Sequence, residues 1–271
     1  MSYRLHETYD STALDDFRSL KGKGGPFEKG LFIAEGPKVT RKVLDSMYKI
    51  AFALMTPEYF TRLRPDFERR RDTTDIYLAP KSEMERVVGY PLHQGIMMAV
   101  RIPESRTIAT AAVGWKQRAI VVALDSIADA ENMGAIIRNA AAFGAAAILV
   151  DDQSCNPYLR RSVRVSMGTI FDIEIIRVPN LPNALTELKQ ILPCQIVGTT
   201  LHHSSIDLED TLTSDSTILV FGSEGWGLRR EVTELCDRLV QIPIAPNVDS
   251  LNVAIASGIF LHWFTRAFKS A

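Results

Sequence analysis

The sequence predicts an α/β protein of two units, residues 1–102 and 119–271, joined by a linker at 103–118. Three observations predict it. Strand and helix signals alternate along the chain. The strand candidates of the second half are short, apolar and β-branched, as in parallel strands covered on both faces. Between the halves, "RIPESRTIATAAVGWKQRA" lacks clear periodicity and carries Pro, Ser, Thr and Gly, so it reads as a connection. At 271 residues and 46% hydrophobic, the chain can bury a sizeable core in each unit.

In order, residues 8–21 read as a helix stopped by "KGKGGP". "LFIAEG" is a strand, and "PKVTRKVLDS" is a helix with Pro37 in its first turn. "KIAFALM" is a second strand. The charge run "RLRPDFERRRD" reads as a solvated face. "DIYLAP" and "QGIMMAV" are two more strands, with helical "KSEMERVV" between them. In the second unit the predicted strands are Ile120–Leu124, Ala146–Val150, Ile173–Val178, Gln195–Thr199, Ile218–Phe221 and Leu239–Ile242. Predicted helices fill the gaps at Met133–Phe143, Tyr158–Met167, Ala184–Ile191, Arg229–Leu235 and Ser250–Ala267. Ligands of open parallel sheets bind beyond the carboxyl ends of strands, so the loops that follow strands are the ones to read for chemistry.

Composition excludes several classes. A net charge of −1 gives no global signature of nucleic-acid binding. Cys155, Cys194 and Cys236 are far apart and form no Cys-x-x-Cys pair, which argues against a disulfide framework and a zinc site. No metal is expected, and a reducing compartment fits. The first residues hold no apolar signal-peptide core, and the longest apolar runs, near Ala140–Val150 and Val253–Phe264, are too short to span a membrane. The expected location is the cytoplasm.

Three loops carry polar residues where a sheet protein binds ligands. In "LDSIADAENMGAIIRNAAAFG", Asn132 fits an N-cap, and Arg138 sits on a helix otherwise rich in Ala and Ile. An exposed or ion-paired arginine is the simpler reading of Arg138 alone. In "LVFGSEGWGLRREV", the glycines run Gly-x-x-Gly-x-Gly, so the dinucleotide fingerprint is absent. Glu224 among them would repel a phosphate and suits a ligand without phosphates. Taken alone, Glu224 reads more simply as an acid at the start of the next helix. In "VQIPIAPNVDSLNVAIASGIF", Ser250 fits an N-cap, while Asn252 opens an apolar helix and a buried amide there would need a partner. No Gly-x-Ser-x-Gly elbow marks Ser250 as a nucleophile.

Together and in this order, the three loops resemble the SpoU (TrmH-like) family of RNA ribose 2′-O-methyltransferases. The motif residues are Asn132, Gly134 and Arg138; Phe221 to Glu224 with Gly227 and Leu228; and Ile242-Pro243, Ser250-Leu251-Asn252 and Val253-Ala254. "RVSMGTIF" is similar to the family's Ser-x-Gly segment. The resemblance covers about residues 118–268. "LFIAEGPKVTRKVL" and "HQGIMMAV" resemble, more loosely, the small α/β RNA-binding domain of many members. One departure is Pro246, where the family usually has glycine.

The resemblance implies a C-terminal parallel-sheet domain tied in a trefoil knot, which periodicity could not reveal. It implies S-adenosylmethionine as cofactor, held by Thr199, Gly222, Ile242 and Leu251, and a ribose 2′-hydroxyl as acceptor. Asn132, Arg138, Glu224, Ser250 and Asn252 would form the catalytic set, with Glu224 holding Asn132 or the third loop. An arginine is a poor base, so Arg138 is expected to act as an electrostatic clamp on the developing oxyanion and the neighbouring phosphate. RNA contacts are expected from Lys38, Arg41, Arg160, Arg161 and Arg164, and from Lys21 and Lys23. A homodimer through the last helix, with Ile259, Phe260, Trp263 and Phe264, is also implied; the plainer reading of those side chains is internal core. Ribosomal RNA is preferred over transfer RNA as substrate. The competing function is a non-catalytic RNA-binding or ribosome-assembly factor on the same scaffold.

Overall fold

The structure, a computed structural model, describes residues 2–7, 12–19, 26, 29–115, 118–202, 204–211 and 216–270, and of 267–270 the backbone alone. The chain forms two compact units. One comprises Met1–Pro103 and Tyr158–Phe171; the other comprises Glu104–Pro157 and Asp172–Ala271. Lys21, Lys23 and parts of the predicted helix 8–21 lie outside the described residues.

The first unit holds a five-stranded mixed sheet in the order β1-β4-β3-β5-β2. Its strands are β1 (Tyr3–His6), β2 (Leu31–Glu35), β3 (Ile50–Met55), β4 (Thr74–Leu78) and β5 (Ile96–Arg101). β1, β4 and β3 run parallel, and β5 and β2 are antiparallel to their neighbours. Both faces are covered, which is why β2 shows no polar alternation. Leu31 and Ile33 enter the cluster with Phe17, Phe52 and Met97. Phe32 points the other way, with ring centroids 5.2 Å from Tyr158 and 5.9 Å from Phe171. Those two rings belong to Tyr158–Phe171, a segment the sequence boundaries assign to the second unit. Its apolar side chains find their core on β2, and sequence spacing carries no sign of that. β1 was not predicted: four residues with two exposed give no periodic signal.

Helices of this unit are α1 (Asp15–Arg18), α2 (Pro37–Asp45), α3 (Pro57–Arg69) and α4 (Lys81–Val88). α3 bears out the reading of "RLRPDFERRRD" as a solvated face for Arg62, Arg64, Glu68, Arg69 and Arg71, which are exposed, and corrects it for Asp66 and Arg70. Thr56 caps it, Pro57 opens it, and Asp66 is 6% exposed. Arg70 turns inward, donating to the carbonyls of Val43, Leu44, Ser46 and Tyr48 at 2.7–3.1 Å. It thereby satisfies the last carbonyls of α2. Asp72 accepts from Arg70 at 2.8 and 3.0 Å. Burial pushes the Asp72 carboxyl up, but the Arg70 hydrogen bonds and charge outweigh it and hold it below the usual range.

The second unit opens with α5 (Ile108–Ala112), inside the stretch read as linker. Thr107 caps it, and Ile108 and Ala111 are buried in the unit's core. Five residues are too few for a helical period to register. Seven parallel strands follow in the order β10-β12-β9-β11-β6-β7-β8. They are β6 (Ile120–Asp125), β7 (Ala147–Asp151), β8 (Glu174–Val178), β9 (Cys194–Thr199), β10 (Ile206–Asp207), β11 (Ser216–Gly222) and β12 (Arg238–Gln241). Only the two-residue edge strand β10 lacks a counterpart in the sequence reading. The helices are α6 (Ala130–Ala142), α8 (Leu181–Ile191), α9 (Arg230–Thr233) and α10 (Val253–Ser270); α7 (Arg160–Val165) belongs to the first unit.

Register decides what the sheet presents. β11 is central, pairing Gly222 with Asp125 of β6 and Phe221 with Thr199 of β9. β12 pairs Val240 with the same Thr199. The carboxyl ends of β6, β9, β11 and β12 therefore lie side by side, where the strand order reverses direction.

Candidate active site

The first element of the site is the turn after β11. Ser223 and Gly227 exchange backbone hydrogen bonds at 3.0 and 2.9 Å, closing a tight loop over Glu224, Gly225 and Trp226. Gly227 takes a left-handed φ of 68°, which favours glycine. Gly222 is required for a different reason. A Cβ there would collide with the carbonyl of Gly227 and the nitrogen of Leu228. The close approach expected at Gly222 is thus made by the chain's own backbone.

That turn places Glu224 against the first loop. Asn132 Nδ2 donates to Glu224 Oε1 at 2.7 Å, and Asn252 Nδ2 donates to Asn132 Oδ1 at 2.9 Å. Asn252 Oδ1 in turn accepts from the backbone N–H of Ala254 and Ile255 at 2.9 and 3.2 Å. The orientation is forced. An ionised carboxylate only accepts, so Asn132 must turn its NH2 to Glu224 and its carbonyl to Asn252. Two sequence readings change here. The N-cap of α6 is Asp129, whose Oδ1 accepts from Glu131 and Asn132 N–H, so the Asn132 side chain is released for Glu224. The cap of α10 is Asn252 and not Ser250, and Asn252 is exposed, satisfied by these bonds.

Behind this chain lies a cavity of about 500 Å³. Thr199, Gly222, Ile242 and Leu251, all assigned to the cofactor, line it together with Glu224, Ser250 and Asn252. Phe221, Val240 and Phe260 give it an apolar floor, with the Phe221 and Phe260 rings edge to face at 5.9 Å. Thr199 Oγ1 donates to the Val220 carbonyl at 2.9 Å, so this residue serves as wall. No Lys or Arg is among the lining residues, and Glu224 is the acid. Such a cavity disfavours a phosphate and suits a ligand with an apolar ring system and a positive or amide-bearing end. Pro246 fits its loop: it stands second in a turn closed by Val248 N–H to the Ala245 carbonyl at 3.0 Å.

Arg138 stands apart. It is exposed on α6 and is not among the cavity-lining residues. Six helical residues after Asn132, it points about 120° away around the helix axis. Among the described residues it has no hydrogen-bond or ion-pair partner. The face that does share Asn132's direction carries Asn139, which donates to Ala254 O at 2.8 Å and Ser257 Oγ at 3.0 Å and joins α6 to α10.

A buried ion cluster escaped the sequence reading. Arg229 follows the β11 turn directly. Its N–H and Nε donate to the two oxygens of Asp125 at 2.8 and 2.5 Å, and Nη2 donates to Asp151 at 2.9 Å. Asp125 and Asp151 are fully buried at the ends of β6 and β7. Asp151 Oδ1 also accepts from Ser126 N–H at 3.1 Å, which holds Ser126 at a φ of 62°. One guanidinium thus ties the start of the first loop to the end of the second. The signal available in the sequence was two neighbouring apolar strands each ending in Asp, "VVALD" and "AILVD". Nearby, burial and the charges of Asp129 and Glu224 push the Cys155 thiol up to about 11, so it stays protonated at neutral pH.

The RNA candidates fall in the first unit, on α2 and α7. Lys38 and Arg164 are exposed, with no ion-pair partner among the described residues. Arg161 is exposed as well. Arg41 pairs with Asp66. Arg160 is engaged internally, donating to Glu35 at 2.8 Å with its guanidinium 4.3 Å over the Tyr90 ring. Among the described residues no helix is long and apolar enough to cross a membrane, and no three His, Cys, Asp or Glu side chains gather to hold a metal. In the last helix Phe260 and Phe264 are core, while Ile255 and Ile259 are 58% and 38% exposed.

The chain is similar to known proteins over most of its length. A model of the SpoU rRNA Methylase family matches residues 119–262. An uncharacterized tRNA/rRNA methyltransferase of Mycobacterium bovis is 31% identical over 265 residues, 95% of this chain and 90% of that protein. The 23S rRNA (guanosine-2′-O-)-methyltransferase RlmB of Acinetobacter baylyi is 32% identical over 190 residues, 69% of this chain and 76% of that protein. Among solved structures, an AdoMet-bound rRNA methyltransferase from Sinorhizobium meliloti is similar with a TM-score of 0.83 at 25% identity, over 98% of both chains.

Proposed function

This chain belongs to the SpoU rRNA methylase family, and from that membership we propose that it methylates a ribose 2′-hydroxyl of structured RNA. Ribosomal RNA is the preferred substrate and transfer RNA the next. The cofactor is S-adenosylmethionine, which supplies a methyl group on a positively charged sulfur. The observation that carries the reading is the Glu224–Asn132–Asn252 chain at the rim of a cavity without Lys or Arg. A phosphate-free, cationic ligand is what such a lining accepts.

In this reading Ile242 and Leu251 give apolar walls to the adenine, and Thr199 and Gly222 close the cavity. Asn132, locked by Glu224, acts with Ser250 and Asn252 to orient the acceptor ribose. Bound in that cavity, S-adenosylmethionine would supply its methyl group to the 2′-oxygen, its sulfur keeping the electron pair of the broken carbon–sulfur bond. The hydroxyl proton leaves to a phosphate oxygen or water. Arg138, exposed and outside its own chain's cavity, would stabilise the developing oxyanion and the adjoining phosphate of the partner subunit's site in the homodimer.

The second unit is read as the family's trefoil knot; two loops closing on one cavity support that. Homodimer formation through α10 draws support from exposed Ile255 and Ile259, one turn apart. The first unit is read as the RNA-binding unit, with Lys38 and Arg164 as its available cations. Three free cysteines suit the cytoplasm. The second reading, a non-catalytic RNA binder, is favoured by one observation: Arg138 stands outside the cavity. Transfer of labelled methyl from S-adenosylmethionine to ribosomal or transfer RNA separates the two. Transfer supports the enzyme, and its absence with retained RNA binding supports the binder.

A further inference from the structure

We propose that Trp226 is a base-stacking residue that positions the nucleotide next to the methylated ribose, an inference that rests on the reading of the chain as an RNA methyltransferase. Trp226 is 94% exposed. That is unusual for the largest apolar side chain, which proteins mostly cover. The exposure does not come from a loose segment. The Ser223–Gly227 backbone pair closes the turn beneath Trp226, and the Trp226 N–H donates to Ser223 Oγ at 3.1 Å. The backbone is pinned and the ring is left outside.

The fold does not use this ring. Among the described residues it makes no ring–ring, cation–π or side-chain hydrogen-bond contact, and it is not among the residues lining the cavity. Nothing near it asks for tryptophan on structural grounds: Gly225 beside it has open space around its Cα. Trp115 and Trp263, by contrast, bury their indole nitrogens.

Its position supplies the occupant. Trp226 is two residues from Glu224, which holds Asn132 at the rim. Two residues of chain span at most about 7 Å. A nucleotide flanking a ribose held at Asn132 therefore lies within reach of the exposed ring on this turn. Bases of unpaired RNA are recognised chiefly by stacking on aromatic side chains, and every base offers a face, so an indole held at fixed height sets where the strand lies. Trp226 is therefore a positioning residue: it grips a base and leaves the methyl transfer to the residues behind it.

The test uses the full chain and an unmodified transcript of large-subunit ribosomal RNA. Trp226→Ala should weaken RNA binding and raise the KM for RNA by roughly 5- to 100-fold. S-adenosylmethionine binding by calorimetry and the Tm should stay unchanged. Trp226→Phe should recover most of the loss and Trp226→Leu little of it, which a purely apolar or structural role would not produce. RNA should also quench the part of the tryptophan fluorescence that disappears in Trp226→Phe. Wild-type turnover and RNA affinity in Trp226→Ala would overturn the proposal while leaving the methyltransferase reading intact. So would shielding of Trp226 that grows with protein concentration alone, the mark of a second copy covering it. RNA-induced quenching without methyl transfer by wild type would instead overturn the enzymatic reading and keep the stacking.

Discussion

Asn132 donates to Glu224 at 2.7 Å and so joins the loop after β6 to the loop after β11. Ninety-two residues separate them in sequence. The bond is exposed and worth little stability, of order 1 kcal/mol. Its effect is directional, since the carboxylate dictates which way the Asn132 amide faces. Asn132→Ala should lower kcat on the order of 10²-fold, the typical result of misplacing a reacting group. The Kd for S-adenosylmethionine by calorimetry should change little. A loss confined to affinity would contradict the orienting role.

Gly222 and Gly225 make a matched pair of tests in the same loop. Gly222→Ala forces a Cβ into the Gly227–Leu228 backbone, whereas Gly225→Ala meets nothing within 4 Å. The first should cost about 1–3 kcal/mol of stability and weaken cofactor binding about tenfold or more. The second should leave both intact. Thermal melts and calorimetry on the two variants read this directly, and equal behaviour would contradict it.

Arg229 separates two buried carboxylates, Asp125 and Asp151. Arg229→Met keeps the volume but leaves those acids facing each other in the interior. Removing one partner of a buried ion cluster costs about 3–5 kcal/mol. Arg229→Lys keeps the charge but loses the forked geometry, so its loss should be smaller. Denaturant unfolding of both variants checks the order Met worse than Lys.

Asp72 gives a prediction with a defined pH window. Hydrogen bonds and charge from Arg70 hold its folded-state pKa below the ordinary value despite burial. A depressed carboxylate contributes stability above its unfolded pKa, about 3.9, and loses it as pH falls through the lower folded value. Asp72→Asn should therefore destabilise the protein at pH 7. The gap to wild type should narrow below about pH 4. A Tm difference constant from pH 7 to pH 3 would contradict this.

Much of the fold was legible because every long strand is an apolar run bounded by turn residues. The three loops were legible only together: singly, Asn132 and Ser250 read as caps and Glu224 as a first-turn acid, and it is their order along the chain that resembles a family. What failed shares a physical cause. β1, β10 and α5 are too short to display a period. Tyr158–Phe171 packs with the first unit through Phe32, a partner more than a hundred residues away. Arg70 and Arg229 look like surface charges in sequence, and only carbonyls and carboxylates brought from other elements make them internal. Arg138 is exposed, as the simpler reading of an arginine on a helix has it, and its place outside the cavity follows from its helix phase relative to Asn132.

The most direct test of the central claim is the chemical identity of the product. Wild-type protein and Arg138→Ala are each incubated with labelled S-adenosylmethionine and unmodified ribosomal RNA. The RNA is then digested to nucleosides and resolved by mass spectrometry. The account predicts label in one 2′-O-methylnucleoside with wild type, and its loss in Arg138→Ala while cofactor binding survives. Label on a base, or an undiminished 2′-O-methylnucleoside with Arg138→Ala, would contradict it.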